Sequence, residues 1–397
     1  MNILILTQHF KILGGSDVIV HQTKRLLEQN GHNCYLFAAT DKETDDSDIF
    51  PSATHFLKPT FTNVGKFLYS SEAARKLTNF LEKNQIDIAY LHIYYGTLTS
   101  SILKPLIKRK IRIVQHLHEY RSFCSIYTAQ RNGKTCTECR VGSYLPGLLN
   151  NCNRNSLTRS ALTTLEMYIG NRQGVNSAPD LFLAVSEFQR RLLIKQGLPA
   201  QKIKTLYNPV DPIFFETDQL DINKKNGVVF VGRTEEYKGV FDLLEVAKSL
   251  PKIAFTFIGD GSSKPKLRKK AANLRNVTIV DKLERKELLT YLSKNRMIVV
   301  PSKWNETFGL TAAEGMAGGL PAIVYNVGGL PEVVQDKESG FVLERDDIKA
   351  LSKAIVKLSE DDSLCLAMSK KARTLMKERF TECQYIASLS SYLEYKS

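Results

Sequence analysis

The chain has 397 residues, of which 43% are hydrophobic and 24% charged, a composition that excludes disordered and fibrous proteins and allows two or three globular domains. No apolar run approaches the ~20 residues that span a bilayer, and the first ten residues lack the basic region and cleavage site of a signal peptide, so we expect a cytoplasmic protein. The formal net charge is +14, with +11 in residues 1–207, which suits contact with a polyanion such as nucleic acid, an anionic membrane or a phosphorylated acceptor.

Short apolar runs alternate with segments of helical periodicity along the chain. This alternation predicts right-handed βαβ units and mostly parallel sheets. Residues 208–226 have little periodicity and are the predicted hinge. The predicted fold class is therefore α/β, with two Rossmann-like doubly wound domains, residues 1–210 and 211–379, and a ligand cleft between their strand ends. The predicted strands lie near residues 3–6, 34–38, 88–92, 111–115, 181–185 and 203–206 in the first domain, and near 228–231, 254–258, 277–280, 297–300, 322–325 and 341–343 in the second.

The loop after the first predicted strand contains Gly14 and Gly15 directly before a helix. Glycine lets bare backbone approach a ligand, although a plain tight turn gives the same pattern. The loop is not G-x-G-x-x-G, and the second strand ends without an acidic residue. Both features argue against a nicotinamide dinucleotide.

Two basic stretches in the first half could approach an anionic membrane. Residues 56–80 combine aromatic and cationic side chains in a way that suits docking on a leaflet, and ordinary helix packing explains the aromatics equally well. Residues 104–112 are either a second membrane-facing patch or a solvated helix end that leads into a strand. The residues of the first stretch are Phe56, Lys58, Phe61, Lys66, Phe67, Tyr69, Arg75, Lys76 and Phe80.

His116 and His118 are spaced to share one face of the fourth predicted strand, where a zinc pair is conceivable. No third ligand lies nearby at a matching spacing. We therefore interpret His118 as a pocket residue and His116 as a packing residue.

Four of the seven cysteines lie within residues 120–155, and one pair has the C-x-x-C spacing. Four thiolates could hold a tetrahedral structural zinc that stiffens this long segment, and free thiols are the alternative. The cysteines of this cluster are Cys124, Cys136, Cys139 and Cys152. We interpret Cys34, Cys365 and Cys383 as isolated core or surface residues.

Gly232 and Arg233 end the first predicted strand of the second domain, and Lys238 and Gly239 follow at a helix start. Two cations at the carboxyl end of this strand could neutralise a diphosphate and stabilise the charge on a leaving group. The alternative interpretation is an ordinary exposed loop.

The segment from Glu306 to Glu314 places two carboxylates around a turn before a helix, just after a buried strand. Gly309 lets the backbone come close to a ligand, and the helix start offers unpaired N–H groups to phosphates. A carboxylate such as Glu314 could accept two hydrogen bonds from a ribose. Thr311 and Glu314 also fit a capping box, in which the glutamate only satisfies a backbone donor.

Together these motifs resemble the family 4 retaining glycosyltransferases of the GT-B fold, of the bacterial group 1 type. The resemblance covers nearly the whole chain and is most specific in residues 228–343. It includes His118 in H-L-H-E-Y, although the family usually has His-Asp where this chain has His118 and Glu119. The remaining motifs are G-G after the first strand, A-V-S-E-F at Ser186, N-P-V-D at Asn208, V-G-R…K-G, I-G-D-G, E-x-x-F-G-L-x-x-x-E and G-G-L-P-E-V-V.

The resemblance implies transfer of a sugar from a nucleoside diphosphate donor, with retention of configuration and without a catalytic metal. Arg233 and Lys238 would hold the diphosphate, Glu306 the donor hexose and Glu314 the ribose. His118 would line the sugar pocket. The donor-binding backbone would comprise Gly15, Gly232, Phe308, Gly309 and Leu310. The helix at residues 380–397 would pack back on the first domain.

The implied partners are a nucleoside diphosphate sugar, with UDP favoured over GDP, and a hydroxyl acceptor that could be lipid-linked. Family analogy places such chemistry in the synthesis of envelope polysaccharide or glycolipid. The residues are also compatible with two other functions. One is a nucleotide-sugar epimerase or hydrolase on the same fold. The other is a basic zinc-knuckle protein that binds nucleic acid, which leaves the second half of the chain unexplained.

Overall fold

The computed structural model describes residues 1–40, 49–52, 63–216 and 227–394. These residues divide into two compact units. The first comprises Met1–Arg131, Cys136–Leu206 and Ser388–Ser397, and the second comprises Asn132–Thr135 and Tyr207–Ala387. The division therefore falls between Leu206 and Tyr207, close to the predicted boundary at residue 210.

The first unit contains a six-stranded parallel sheet in the order β2-β1-β3-β4-β7-β8. Two of its inner strands, β3 and β7, are fully buried and mainly apolar, as expected of a parallel sheet covered on both faces. Two further short strands, β5 and β6, form a separate two-stranded sheet that the sequence analysis did not predict. The strands are β1 (Asn2–His9), β2 (Asn33–Ala39), β3 (Ile88–Leu91), β4 (Arg112–Leu117), β5 (Gln130–Arg131), β6 (Lys134–Thr135), β7 (Leu181–Ala184) and β8 (Ile203–Thr205).

Helices connect these strands and bury their apolar faces on the sheet. In one core cluster, Leu4 of β1 and Phe37 of β2 pack with Leu77 and Leu81 of an amphipathic helix. Ser186 of the A-V-S-E-F motif is the N-cap of the helix Glu187–Lys195, because its hydroxyl accepts from Gln189 N–H at 3.1 Å. The α-helices are Gly15–Gln29, Val64–Leu68, Ser71–Lys83, Leu103–Lys108, Leu145–Leu149, Leu157–Arg172 and Glu187–Lys195.

The second unit also contains a six-stranded parallel sheet, in the order β11-β10-β9-β12-β13-β14. This is the strand order of a dinucleotide-binding Rossmann sheet, in which the chain runs outward from the centre in both directions. The strands are β9 (Val228–Val231), β10 (Phe255–Ile258), β11 (Val277–Val280), β12 (Met297–Val300), β13 (Ala322–Tyr325) and β14 (Gly340–Leu343).

The helices of the second unit alternate with its strands, and three more follow β14. The last of these helices begins in the second unit and ends in the first, where Tyr392 O accepts from the Arg112 guanidinium at 3.0 Å and Tyr392 Oη donates to Thr205 O at 3.1 Å. The α-helices are Val240–Ser249, Lys264–Ala271, Arg285–Lys294, Leu310–Ala317, Leu330–Val333, Ile348–Glu360, Asp362–Arg379 and Glu382–Glu394.

The predicted fold class is confirmed, and each of the twelve predicted strands corresponds to an observed one. The capping-box interpretation is wrong, because the helix begins at Leu310 and its N-cap is Gly309, which leaves Thr311 inside the first turn. The predicted hinge is described only to residue 216, where a short 3₁₀ helix, Pro212–Phe215, follows Asp211. Residues 217–226 lie outside the described part. Over the described residues, no helix has the length and apolar composition needed to cross a bilayer.

Candidate active site

The centre of the second sheet is a topological switch point. β9 and β12 are neighbours there, but β10 and β11 extend the sheet on one side while β13 and β14 extend it on the other. Open α/β sheets bind ligands beyond the carboxyl ends of such a strand pair. The loops that leave β9 and β12 carry the predicted cations and carboxylates, so the fold brings two distant motifs to one place.

Arg233 leaves β9 with an exposed side chain, 67% accessible, and its nearest acidic partner is Glu235 at 3.4 Å. Glu235 is itself fixed, because it accepts from the backbone N–H of Ser262 at 2.9 Å and from its hydroxyl at 2.6 Å. Gly259, in the loop after β10, must be glycine at its φ of 138°, since a Cβ would lie 1.9 Å from Gly232 O. The loop is therefore rigid, and the guanidinium at its surface is available to an anion.

Lys238 ends a short 3₁₀ helix, and Gly239 follows with φ of 74°. A Cβ at Gly239 would lie 1.8 Å from Pro301 O, so only glycine lets the loop after β9 pass against the loop after β12. The ammonium of Lys238 lies 2.6 Å from Glu306 Oε1 and 5.1 Å from the centroid of the Trp304 ring. Both charged side chains are largely buried, at 19% and 12% exposed.

The backbone of Glu306 is fixed by contacts with the G-G-L-P-E-V-V motif. The N–H of Gly329 donates to Glu306 O at 2.8 Å, and a Cβ at Gly328 would lie 2.1 Å from that same oxygen. The two glycines therefore allow a close backbone approach that fixes the acidic loop. The motif therefore has a structural role, to fix the loop that carries Glu306, which the sequence analysis did not predict.

The helix Leu310–Ala317 starts from Gly309, whose φ of 111° is left-handed. The first N–H groups of any helix lack partners within it, and they make its start a site for anions. Phe308, directly before, is buried with its ring 5.5 Å from that of Phe380. Packing thus fixes the side chain of Phe308, while its backbone lies next to the start of the helix.

Glu314 lies on this helix with its side chain only 13% exposed. Arg285 is its ion-pair partner at 3.6 Å, and the same guanidinium pairs with Asp211. Burial raises the pKa of Glu314 to about 7, although Arg285 acts in the opposite direction. The sequence analysis missed Arg285, which lies 29 residues away in another helix; the nearest signal was the N-P-V-D motif that contains Asp211.

In the first unit, Gly14 is the N-cap of the helix that starts at Gly15. The carboxylate of Asp17 accepts from the N–H groups of Leu13 and Gly14, each at 2.9 Å, which shapes the loop. A Cβ at Gly14 would meet nothing within 4 Å, so packing does not require glycine there.

His118 directly follows β4, and its Nε2 lies 2.8 Å from Nδ1 of His92 at the end of the neighbouring strand β3. Burial lowers the pKa of His118 to about 3, so its imidazole is neutral. The sequence analysis did not assign a role to His92. Among the described residues, the third ligand that we sought near His116 and His118 is this histidine.

The four clustered cysteines have free thiols and lie close enough to influence one another electrostatically. Burial raises the pKa of Cys139 to about 12. Within the described ranges, the residues that meet as a group of three or more metal-ligand side chains are histidines and not these cysteines. The zinc prediction for the cysteines stays a prediction.

Some residues of the two basic stretches of the first half make contacts within the protein. Phe80 packs on the core, and Lys76 donates to Phe50 O at 2.8 Å. Residues 104–112 form a helix end, Leu103–Lys108, that leads into β4, as one of the two interpretations predicted. Phe56, Lys58 and Phe61 lie outside the described residues.

Two family models match adjoining parts of the chain. The model described as glycosyltransferase family 4 matches residues 13–214, and the model described as glycosyl transferases group 1 matches residues 213–375. Together they include both glycine-flanked loops and both acidic motifs described above.

Individual relatives are more distant. The N-acetyl-alpha-D-glucosaminyl L-malate synthase of Bacillus anthracis is 23% identical over 93% of this chain and 90% of its own length. An uncharacterized 41.2 kDa protein in the cps region of Klebsiella pneumoniae is 32% identical over 42% of this chain, and the match spans only 49% of that protein. An Anabaena protein solved with UDP and glucose superposes with a TM-score of 0.66 and 18% identity over 99% of both chains. At that identity, the similarity concerns the fold.

Proposed function

This chain belongs to glycosyltransferase family 4, and on that premise we propose that it is a retaining hexosyltransferase that uses a nucleoside diphosphate sugar. The acceptor is a hydroxyl group, lipid-linked or free, in envelope polysaccharide or glycolipid synthesis. UDP is the favoured nucleotide, since a similar fold has been solved with UDP and glucose, and GDP is the second choice.

The observation that carries the proposal is the meeting of Lys238 and Glu306 at the switch point, with Arg233 exposed on the same loop as Lys238. A departing nucleoside diphosphate develops negative charge, and fixed cations stabilise that charge without reorganisation. Gly239 and Gly259 constrain the backbone around the loop that carries both cations, which supports a site formed before any donor binds. This arrangement would replace the metal that other sugar transferases use.

In the proposed reaction, Arg233 and Lys238 bind the diphosphate while Glu306 accepts from hydroxyls of the hexose. The N–H groups at the start of the helix Leu310–Ala317 face phosphate or sugar oxygens, and Glu314 accepts from the ribose. His118, a neutral imidazole, lines the sugar pocket.

The proposed mechanism is front-face substitution. The bond between the anomeric carbon and the phosphate oxygen breaks, and a short-lived oxocarbenium ion forms. The acceptor oxygen then bonds to the anomeric carbon on the same face, while the leaving phosphate oxygen takes the acceptor proton. Orientation and electrostatics then supply the rate, and the protein provides no nucleophile. A double displacement would need a carboxylate on the opposite face of the sugar. Glu306 is the motif carboxylate available for that role, and its ion pair with Lys238 fits a binding role better.

The test is turnover of UDP-glucose, UDP-N-acetylglucosamine and GDP-mannose with hydroxyl acceptors in the presence of EDTA, with products followed by NMR. A new α-glycoside from an α-linked donor supports a retaining transferase that needs no added metal. Free sugar without glycoside would indicate a hydrolase, and an epimerised donor would indicate an epimerase. A β-glycoside would contradict retention, and activity that requires a divalent cation would contradict metal independence.

A further inference from the structure

The first unit contains a compact cluster of three histidines at the carboxyl edge of its sheet. β3 and β4 are adjacent parallel strands that pair Leu91 with Gln115. This register places His92 beside His116, and His118 comes two residues later. One ring nitrogen from each histidine lies within 4.8 Å of the others.

Two of these rings have a nitrogen without a partner. His92 and His116 are 0% and 1% exposed, and within the described residues the Nε2 atom of each is buried with no hydrogen-bond partner. An unpaired buried polar group is costly, and native structures rarely leave one without a reason. The unpaired Nε2 of His116, which lies in a cluster with two further imidazoles, indicates that a ligand belongs between the rings.

The hydrogen bonding of His116 matches that of a metal ligand. Its Nδ1 lies 2.9 Å from the hydroxyl oxygen of Tyr90, which is itself fully buried. Metal-bound histidines usually donate their second N–H to an oxygen, which fixes the tautomer and leaves the other nitrogen free to coordinate. With Nδ1–H donating to Tyr90, the lone pair of His116 Nε2 points to an unpartnered position.

The surroundings of the cluster also suit a cation. The cavity that His92, His116 and His118 line is also lined by Glu119, whose carboxyl group could balance the charge of a cation.

We propose that His92, His116 and His118 bind one divalent transition-metal cation of intermediate softness, with Zn²⁺ as the probe ion. Three imidazoles suit Zn²⁺, Co²⁺ and Ni²⁺, and they do not suit Mg²⁺ or Ca²⁺, which take oxygen ligands. The site shares His118 with the proposed sugar pocket. Its test reads zinc content and ligand type, which do not depend on the proposed transfer reaction.

Metal binding would change the tautomer of one ring. His92 Nδ1 and His118 Nε2, now 2.8 Å apart, share one hydrogen bond in which one nitrogen donates and the other accepts. As ligands, both nitrogens present lone pairs, so the donating ring moves its proton to its other nitrogen, whereas the accepting ring already carries its proton there. No proton is gained or lost, and the metal takes the position between the rings.

The experiment measures zinc in the full-length protein, both as purified and after chelation and reloading with one equivalent of Zn²⁺. Zinc content comes from elemental analysis, affinity from competition with a chromophoric chelator, and ligand type from X-ray absorption. We expect about one zinc per chain with nitrogen ligands at about 2.0 Å and no sulphur at about 2.3 Å.

The variants are His116→Gln, which removes a ligand, and Tyr90→Phe, which keeps the ligand and removes its hydrogen-bond partner. We expect His116→Gln to lose the zinc and Tyr90→Phe to weaken its binding about 10- to 100-fold. His32→Gln is the control, since His32 contacts the N-terminal ammonium far from the cluster in sequence, and it should bind zinc normally.

Three results would overturn the site. One is absence of zinc before and after reloading, and a second is sulphur scattering alone, which would place the zinc on the clustered cysteines. The third is an unchanged affinity for zinc in both single variants, Tyr90→Phe and His116→Gln. If His116→Gln does not fold, the zinc affinity of Tyr90→Phe and the X-ray absorption spectrum of the natural sequence still test the site.

Discussion

The ammonium of Lys238 and the carboxylate of Glu306 meet at 2.6 Å although 68 residues separate them in the chain. The contact joins the loop after β9 to the loop after β12. Neither residue alone identifies a site, because lysines and glutamates are common on surfaces. Their pairing with low exposure at a switch point gives each a fixed position, and the proposed function gives them a common ligand.

Replacing Lys238 by alanine should lower kcat for sugar transfer by about 100- to 1,000-fold, as removal of one preorganised charge-stabilising donor does in other enzymes. Lys238→Arg should recover part of this loss, because it keeps the charge but not the compact geometry. Steady-state kinetics with UDP-glucose or the donor identified above measures both variants.

Lys248→Ala is the matched control for this prediction. Lys248 is an exposed lysine of the same unit that pairs with Glu245 three residues away. Its loss should leave kcat unchanged. Equal losses in the Lys238 and Lys248 variants, or an unchanged kcat in Lys238→Ala, would contradict the role of Lys238.

Affinity for UDP-glucose should rise with pH up to about 7 and then level off. Burial raises the pKa of Glu314 to about 7, so the carboxyl group is protonated below that pH and ionised above it. A ribose diol offers two O–H donors, and only the ionised carboxylate accepts both. Below the pKa, the apparent affinity should fall by up to about tenfold per pH unit.

Glu314→Gln should bind UDP-glucose more weakly, with an affinity that no longer changes between pH 5.5 and 8. Isothermal titration calorimetry across this range compares the two proteins. The sugar nucleotide is preferable to UDP, because the terminal phosphate of UDP itself titrates near pH 6. The same pH slope in both proteins would rule out Glu314 as its source.

Gly239→Ala should destabilise the protein by about 2 kcal/mol or more. The residue has φ of 74°, and a Cβ there would overlap Pro301 O. Gly14→Ala is the control, since Gly14 has extended backbone and space for a Cβ, and its effect should stay within about 0.5 kcal/mol. Urea unfolding midpoints give the comparison, and equal effects would refute the close approach of the two loops.

The strands were predictable because most are short, largely apolar runs between polar segments, and several, such as β3, β7, β12 and β13, are wholly buried. The loops after β9 and β12 were predictable as motifs, and the sheet order explains why they meet. Partners from other elements were not predictable in this way. His92 lies beside His116 only through the pairing of β3 with β4, and Arg285 reaches Glu314 only through helix packing. Such contacts depend on register and on side-chain direction, neither of which follows from local periodicity.

In a native thiol titration, Cys383 should react fast, whereas Cys34, Cys139 and Cys365 should not. Cys383 is exposed and the other three are buried, and burial raises the pKa of Cys34 to about 11 and of Cys139 to about 12. Because the thiolate is the reactive form, the buried groups should react only after unfolding. Cys383→Ser should remove one thiol from the fast phase measured with a disulphide reagent, whatever the partly exposed cysteines of the cluster contribute. A fast phase of unchanged size in this variant would contradict the assignment to Cys383.

Trp304 is the single tryptophan of the chain, and its ring faces the ammonium of Lys238. Its Nε1 is buried, so the indole senses the charge around it more than bulk solvent. A diphosphate that draws Lys238 away from the ring would change the emission of this one fluorophore. The protein therefore carries its own optical reporter, which allows the rate of donor entry to be recorded by stopped flow without any label.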